Sequence, residues 1–286
     1  IVGAVQAARN LLFCVRKARI KLNQPVCAEC IDLKPKALKQ FGLSCCSLEA
    51  AFRAIKINGK TGFAANRNLV KNLEPIISKL STDEIFSTFG SFELSKITLP
   101  SGYGVWGPTW FLFTDRFCTD FSKNINVIDI KKEELLKIDN KIFWHVPIQE
   151  SIKSYGIYKN SNLVAVSSIQ HRGDDVYEIS MDVHPDAQSS GLGKALVSKS
   201  VNYIISLGKI AMASVGVFNI PSNRTLRSLG MEHLITDMKG LPGDFMVEPQ
   251  SLGEPIPGCK VINRYPFWAM NQNIKENLEW YNHYDK

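Results

Sequence analysis

Three stretches, 155–158, 163–170 and 176–184, are rich in apolar, β-branched and aromatic residues and read as strands, the last with apolar and polar positions alternating over 177–184, and turn-forming clusters at 159–162 and 172–175 separate them. This succession predicts an antiparallel meander. The period then lengthens: Leu192, Leu196, Val201, Ile204 and Ile205 fall on one face of a helix predicted over 191–207, and Gly208 ends it. Residues 210–218 form an apolar, β-branched run typical of a central strand. A short helix over 221–229, closed by Gly230, leads to a last strand at 231–237.

The first 140 residues follow another pattern. Helical spacing appears at 4–22 (Val5, Leu11, Leu12, Val15, Ile20) and at 68–80 (Leu69, Val70, Leu73, Ile76, Ile77, Leu80), and 1–90 reads as packing helices throughout. Residues 100–114 are rich in Gly, Trp and Phe and read as short extended segments bent at Gly102, Gly104, Gly107 and Pro108. Trp106, Trp110 and Phe111 among them either line a hydrophobic site or build core, and core packing is the default. A short charged helix is expected over 131–138, a Gly- and Pro-rich loop over 240–258 and a polar helix carrying Trp280 over 271–284. Asn58-Gly59-Lys60-Thr61 is not a phosphate loop, because Ala54 stands where the motif needs a glycine. The predicted division is a mostly helical region, 1–140, followed by a strand-rich domain, 141–286.

Composition narrows the class. The chain has 286 residues, 45% hydrophobic and 21% charged, too apolar for a disordered polymer. It also has no run of about 18 uncharged apolar residues that would cross a bilayer. The net charge of +7 is entirely N-terminal: residues 1–140 carry 20 basic and 13 acidic side chains, and 141–286 carry 14 of each. Within 1–60 the count is 11 against 3, with Arg16, Lys17, Arg19 and Lys21 clustered. That stretch is either a solvated basic face or a surface for a polyanionic or acidic partner: nucleic acid, acidic protein or acidic headgroups. Seven cysteines, an odd number without a secretory leader before them, predict a reducing, cytoplasmic location. Cys27-Ala-Glu-Cys30 with Cys45 and Cys46 is a partial zinc pattern lacking a second spaced pair, so buried thiols and no metal are expected. The first residue is Ile1, which leaves a start upstream of it open.

The candidate chemistry sits at two turns. Val183-His184-Pro185-Asp186-Ala187-Gln188-Ser189-Ser190-Gly191-Leu192-Gly193-Lys194 runs from a strand directly into the long helix. Gly191 and Gly193 put no side chain in the way of an anion, so backbone N–H groups at the helix start can hold a phosphate with help from the helix dipole. Asn219-Ile220-Pro221-Ser222 follows the next strand, and Leu229-Gly230-Met231 closes the helix after it. Together these segments resemble two signatures of the GNAT superfamily of acyl-CoA-dependent N-acyltransferases, in the right order and on the right elements. The first is Val-x-Pro, then Gln or Arg, two residues and Gly-x-Gly. The second is Asn-x-x-Ser/Ala on a helix ending in Leu-Gly. The resemblance covers roughly residues 142–240.

The resemblance implies an α/β (α+β) fold with a mixed, largely antiparallel sheet flanked by helices. It also implies acetyl transfer from acetyl-CoA to a primary amine by direct attack, without metal. On that basis backbone groups at Asp182 and Val183 would pair with the pantetheine arm. The N–H groups of Gln188, Ser189, Ser190, Gly191, Leu192, Gly193 and Lys194 would hold the pyrophosphate, and Asn219 and Ser222 would border the arm's far side. Lys194, Arg224 or Arg227 would screen phosphate charge or simply face solvent. Glu178, Asp182 and His184 share even numbering on one strand and are the candidate bases, Glu178 first. The family's usual acid is a Tyr seven residues after the Asn. Leu226 stands there, with Tyr203 and Tyr177 the nearest substitutes in sequence. His145, in Phe143-Trp144-His145-Val146-Pro147, reads as a structural histidine or part of an acceptor wall. Two other readings stay open: a non-catalytic acyl-CoA-binding regulatory module, and a nucleic-acid or acidic-partner binder acting through 1–60.

Overall fold

The computed structural model describes residues 50–57, 60–139 and 141–243. The helices expected at 4–22 and 271–284, the partial zinc pattern and residues 1–49 of the basic stretch lie outside the described residues. The N-terminal region departs from its expected helical character at once. Phe52 and Ala54 face one apolar cluster while Ile55 and Ile57 face another, which is the period of a strand. β1 (Phe52–Ile57) pairs antiparallel with β2 (Lys60–Ala65), from Ile57 opposite Lys60 outward. Asn-Gly, the dipeptide between them in sequence, is the one most favoured for a two-residue hairpin connection.

Three helices follow. α1 (Arg67–Lys79) takes the span predicted for it and buries Leu69, Val70 and Leu73. α2 (Thr82–Ile85) starts with a capping box between Ser81 and Glu84, and α3 (Thr88–Thr98) packs against β3 (Tyr103–Thr114). The bent segments expected over 100–114 are thus one 12-residue strand. Its register shifts between Trp106 and Thr109, where Gly107 has φ +119° and any Cβ would lie 2.8 Å from the Asp237 carbonyl oxygen. After β4 (Ile128–Ile130) and α4 (Lys132–Leu135) comes the expected meander: β5 (Ser151–Lys159), β6 (Asn162–His171) and β7 (Val176–Val183). α5 (Leu192–Ser206), β8 (Ile210–Gly216), α6 (Ile220–Ser228) and β9 (Glu232–Pro242) complete the order read from the sequence.

The nine strands form one sheet in the order β2-β1-β9-β3-β8-β7-β6-β5-β4. Its described pairings are antiparallel except β7 with β8. The boundary expected at residue 140 does not divide the sheet: β3, from the N-terminal part, lies between β8 and β9. One face carries α5 over Ile169, Ile179, Ala211, Ala213 and Val215. Val176, Ile210 and Met212 face the opposite side, as strand alternation requires. Even-numbered residues of β7 therefore point away from α5.

Candidate active site

β7 and β8 run parallel and pair at only three registers, Val176 with Ile210, Tyr177 with Ala211 and Glu178 with Met212. Beyond Glu178 they diverge, so among the described residues no strand pairs with the β7 edge from Ile179 to Val183 on that side, and only Gln188 Nε2 reaches it, at the Val183 carbonyl (3.4 Å). A cleft of about 560 Å³ opens there, with Trp106, Trp144 and Phe218 among its apolar lining. Unpaired backbone donors and acceptors along a strand edge are a template for an extended, amide-bearing chain.

At the end of β7 the chain turns into α5. Gly191 is the residue before the helix, at φ +79° and with no side-chain cap, and a Cβ built there would meet no atom within 4 Å. The first bond of the helix runs from the Ala195 N–H to the Gly191 carbonyl, which leaves the N–H groups of Leu192, Gly193 and Lys194 without intrahelical acceptors. Ser189, Ser190 and Gly191 are exposed just before them. Gln188 differs from its expected role, because its N–H already bonds the Pro185 carbonyl at 3.3 Å. Gly193 packs against β7, where a Cβ would come within 3.1 Å of Met181 Cε. The Lys194 ammonium lies 3.8 Å from the centre of the Phe121 ring. Arg224 is exposed, and Arg227 lies 5.0 Å over Trp110.

The expected bases separate into three different environments. Glu178 is buried in the cleft wall. Its Oε2 accepts from Gln170 Nε2 (2.9 Å) and from Arg172 Nε, and its Oε1 accepts from Ser214 Oγ (2.7 Å). Asp182 is buried too, and both its oxygens are engaged by one residue: His145 donates its backbone N–H to Oδ2 (2.8 Å) and its ring Nδ1–H to Oδ1 (2.6 Å). Both oxygens of the Asp182 carboxylate are thus taken up in holding His145, an arrangement that sets it apart from Glu178 and His184. His184 lies beyond the end of β7 and caps the turn Pro185–Ala187 by accepting the Asp186 N–H on Nδ1 (3.3 Å). It is not among the residues lining the cleft, so sharing even numbering with Glu178 does not bring it there.

Asn219 and Ser222 do line the cleft, at the start of α6. The Asn219 side chain accepts the Ser222 N–H at 3.2 Å. Leu226 lines the cleft as well, with no hydroxyl to offer, and the two tyrosines considered in its place are turned elsewhere: Tyr203 meets Tyr155 edge-on and Tyr177 meets His171. Trp110, expected in the core, stacks on His233 at 4.8 Å. Burial, aided by Arg227, holds the His233 imidazole below its usual pKa. Sequence reasoning missed Gln170, Arg172 and Ser214 around Glu178. Register was the available signal, since Gln170 pairs with Glu178 across β6 and β7. Among the described residues no cluster suited to a metal ion is found, and no helix is long and apolar enough to cross a membrane.

Residues 123–231 match the family model of the acetyltransferase (GNAT) family. This chain carries a GNAT domain. Solved structures similar to it include a GCN5-related N-acetyltransferase from Kribbella flavida, at 18% identity and TM-score 0.39, with 53% of this chain and 64% of that one covered. A GCN5-related N-acetyltransferase-like protein from Streptococcus suis aligns at 12% identity over 54% and 68%, TM-score 0.41. A Drosophila protein aligns at 14% identity over 82% and 90%, TM-score 0.41. No curated protein matches the sequence. The sheet of the described residues is mixed and largely antiparallel, as the sequence implied, and the family match supports acyl transfer in general.

Proposed function

We propose that the GNAT domain transfers an acyl group, acetyl in the first instance, from acyl-CoA to a primary amine by direct attack. One observation carries this reading: β7 and β8 part after three registers, and the chain that leaves β7 enters α5 at an uncapped start. The residues fit such a ligand. Edge backbone groups of β7 near Asp182 and Val183 suit an amide-bearing arm once Gln188 Nε2, which donates to the Val183 carbonyl at 3.4 Å, gives way, and the N–H groups from Ser189 to Lys194 suit a diphosphate. Gln188 drops out of the cradle. Asn219 and Ser222 border the slot on the α6 side.

When bound, the thioester supplies an activated carbonyl. The chain's own part is to hold that carbonyl beside unpaired N–H groups of β7, which stabilise the oxygen as charge develops on it, and to exclude bulk water with Trp106, Trp144 and Phe218. Leu226 offers no proton to the departing sulfur. That favours a second reading, a domain that binds acyl-CoA without turnover. Thiol release from acetyl-CoA, followed against a panel of small primary amines and amino-terminal peptides, decides between them. Amine-dependent release supports transfer; tight acetyl-CoA binding with no release for any amine supports the non-catalytic domain.

A further inference from the structure

Resting on the acyl-transfer reading, we infer that His145 Nε2 is the base that takes the amine's proton, and that Asp182 is its positioning residue. His145 belongs to the segment preceding β5, outside both sequence signatures, yet it lines the same cleft as Glu178 and Ser214. Asp182 grips it twice, at the backbone N–H (2.8 Å) and at the ring Nδ1 (2.6 Å). A carboxylate only accepts, so Nδ1 carries the proton and a neutral ring keeps its lone pair on Nε2. The Trp144 ring, its centre 3.4 Å from the imidazole centre, limits the ring's rotation. The His145 side chain is 39% exposed and lines the cleft, with Nε2 on the ring side away from the Asp182-bound Nδ1, whereas the Asp182 side chain behind it is 9% exposed. This is the arrangement of an oriented general base.

Glu178, the alternative, is already engaged. Three donors occupy its two oxygens, and it is 4% exposed. It holds Arg172 and Ser214 in the cleft wall. In the proposed step the amine nitrogen forms a bond to the thioester carbon as the carbon–sulfur bond breaks. The sulfur leaves with that bond's electron pair, and the nitrogen's proton goes to His145 Nε2. The imidazolium then returns this proton to the thiolate, directly or through water, so the absence of a hydroxyl at Leu226 leaves the step complete. Products are the amide and the free thiol.

The test uses the full chain. Long-range ¹H–¹⁵N spectra of ¹⁵N-histidine-labelled protein at pH 8, with the His145 signals assigned by their loss in His145→Gln, are expected to show a protonated Nδ1 and a bare Nε2. Asp182→Asn is expected to give a mixture of tautomers. With acetyl-CoA and the best amine of the panel, His145→Gln is expected to lower kcat by about a hundredfold or more while the acetyl-CoA Kd stays within about twofold. Added imidazole should restore part of the rate to His145→Ala. Thiol release that survives His145→Gln, or an Nε2-protonated ring in the wild type, overturns this assignment alone. A wild type that releases no thiol with any amine overturns the acyl-transfer reading and this inference with it.

Discussion

Glu178, Asp182 and His184 share a parity on the sequence, and the surroundings of each decide what it can do. Glu178 is consumed by Gln170, Arg172 and Ser214, Asp182 by His145, and His184 by the turn after β7. Parity reports which face a side chain leaves from but is silent on the partners waiting there, and those partners come from β6, β8 and the loop before β5. His233 gives a residue-scale prediction of another kind. Burial and Arg227 lower its pKa, so below the ordinary histidine value the unfolded chain binds a proton that the folded chain refuses. Stability contributed at this site is full above that value and declines as pH falls toward the lowered one. Urea melts across pH 5–8 should therefore show a shallower acid-side loss in His233→Gln than in the wild type; identical slopes would refute the assignment.

Elements were legible where one periodicity dominates. β5 to β9, α5 and α6 appear within a few residues of the spans predicted for them, because apolar, β-branched runs or helical spacing are bounded there by turn-forming residues. β1 and β2 were not legible: six-residue strands containing Arg53, Lys56 and Lys60 lack a clean alternation, and the pairing that makes them strands is with each other and with β9, more than 170 positions away. β3 was read as fragments because Gly107 and Pro108 interrupt it, and the register shift that absorbs them is invisible in one dimension. Within this part of the sheet, Arg53 donates from Nε to Asp237 Oδ1 at 2.7 Å and from Nη2 to Oδ2 at 3.1 Å, with the two side chains 10% and 3% exposed. Breaking such a buried pair leaves Asp237 charged and uncompensated, so Arg53→Met should lose about 3–5 kcal/mol in chemical denaturation. A loss near zero would show that β1 is held by its ladder alone.

On the scale of the whole molecule, the unexpected fact is that one sheet spans both predicted parts. β3 pairs along β8 from Thr109 opposite Gly216 to Thr114 opposite Ala211, and along β9 on its other edge. Removing it would bare two long, apolar edges in the middle of the sheet. A fragment of residues 141–286 is thus expected to be insoluble or aggregated, while the full chain melts as one cooperative unit; a soluble, cooperatively folding fragment would contradict that expectation. The same arrangement bears on the site, since β3 supplies Trp106 and Thr109 to the cleft lining.

The central claim is that the slot between β7 and β8 and the start of α5 hold an acyl-CoA. Isothermal titration with acetyl-CoA on the wild type, Gly191→Asn and Gly191→Asp tests it most directly. Asn and Asp both tolerate the left-handed conformation that Gly191 adopts at φ +79°, and the site has open space, so the pair differs essentially in one negative charge at the helix start. The account predicts micromolar binding by the wild type, retained within about tenfold in the Asn variant and weakened far more in the Asp variant. Equal affinities for the two variants, or no binding by the folded wild type, would contradict it.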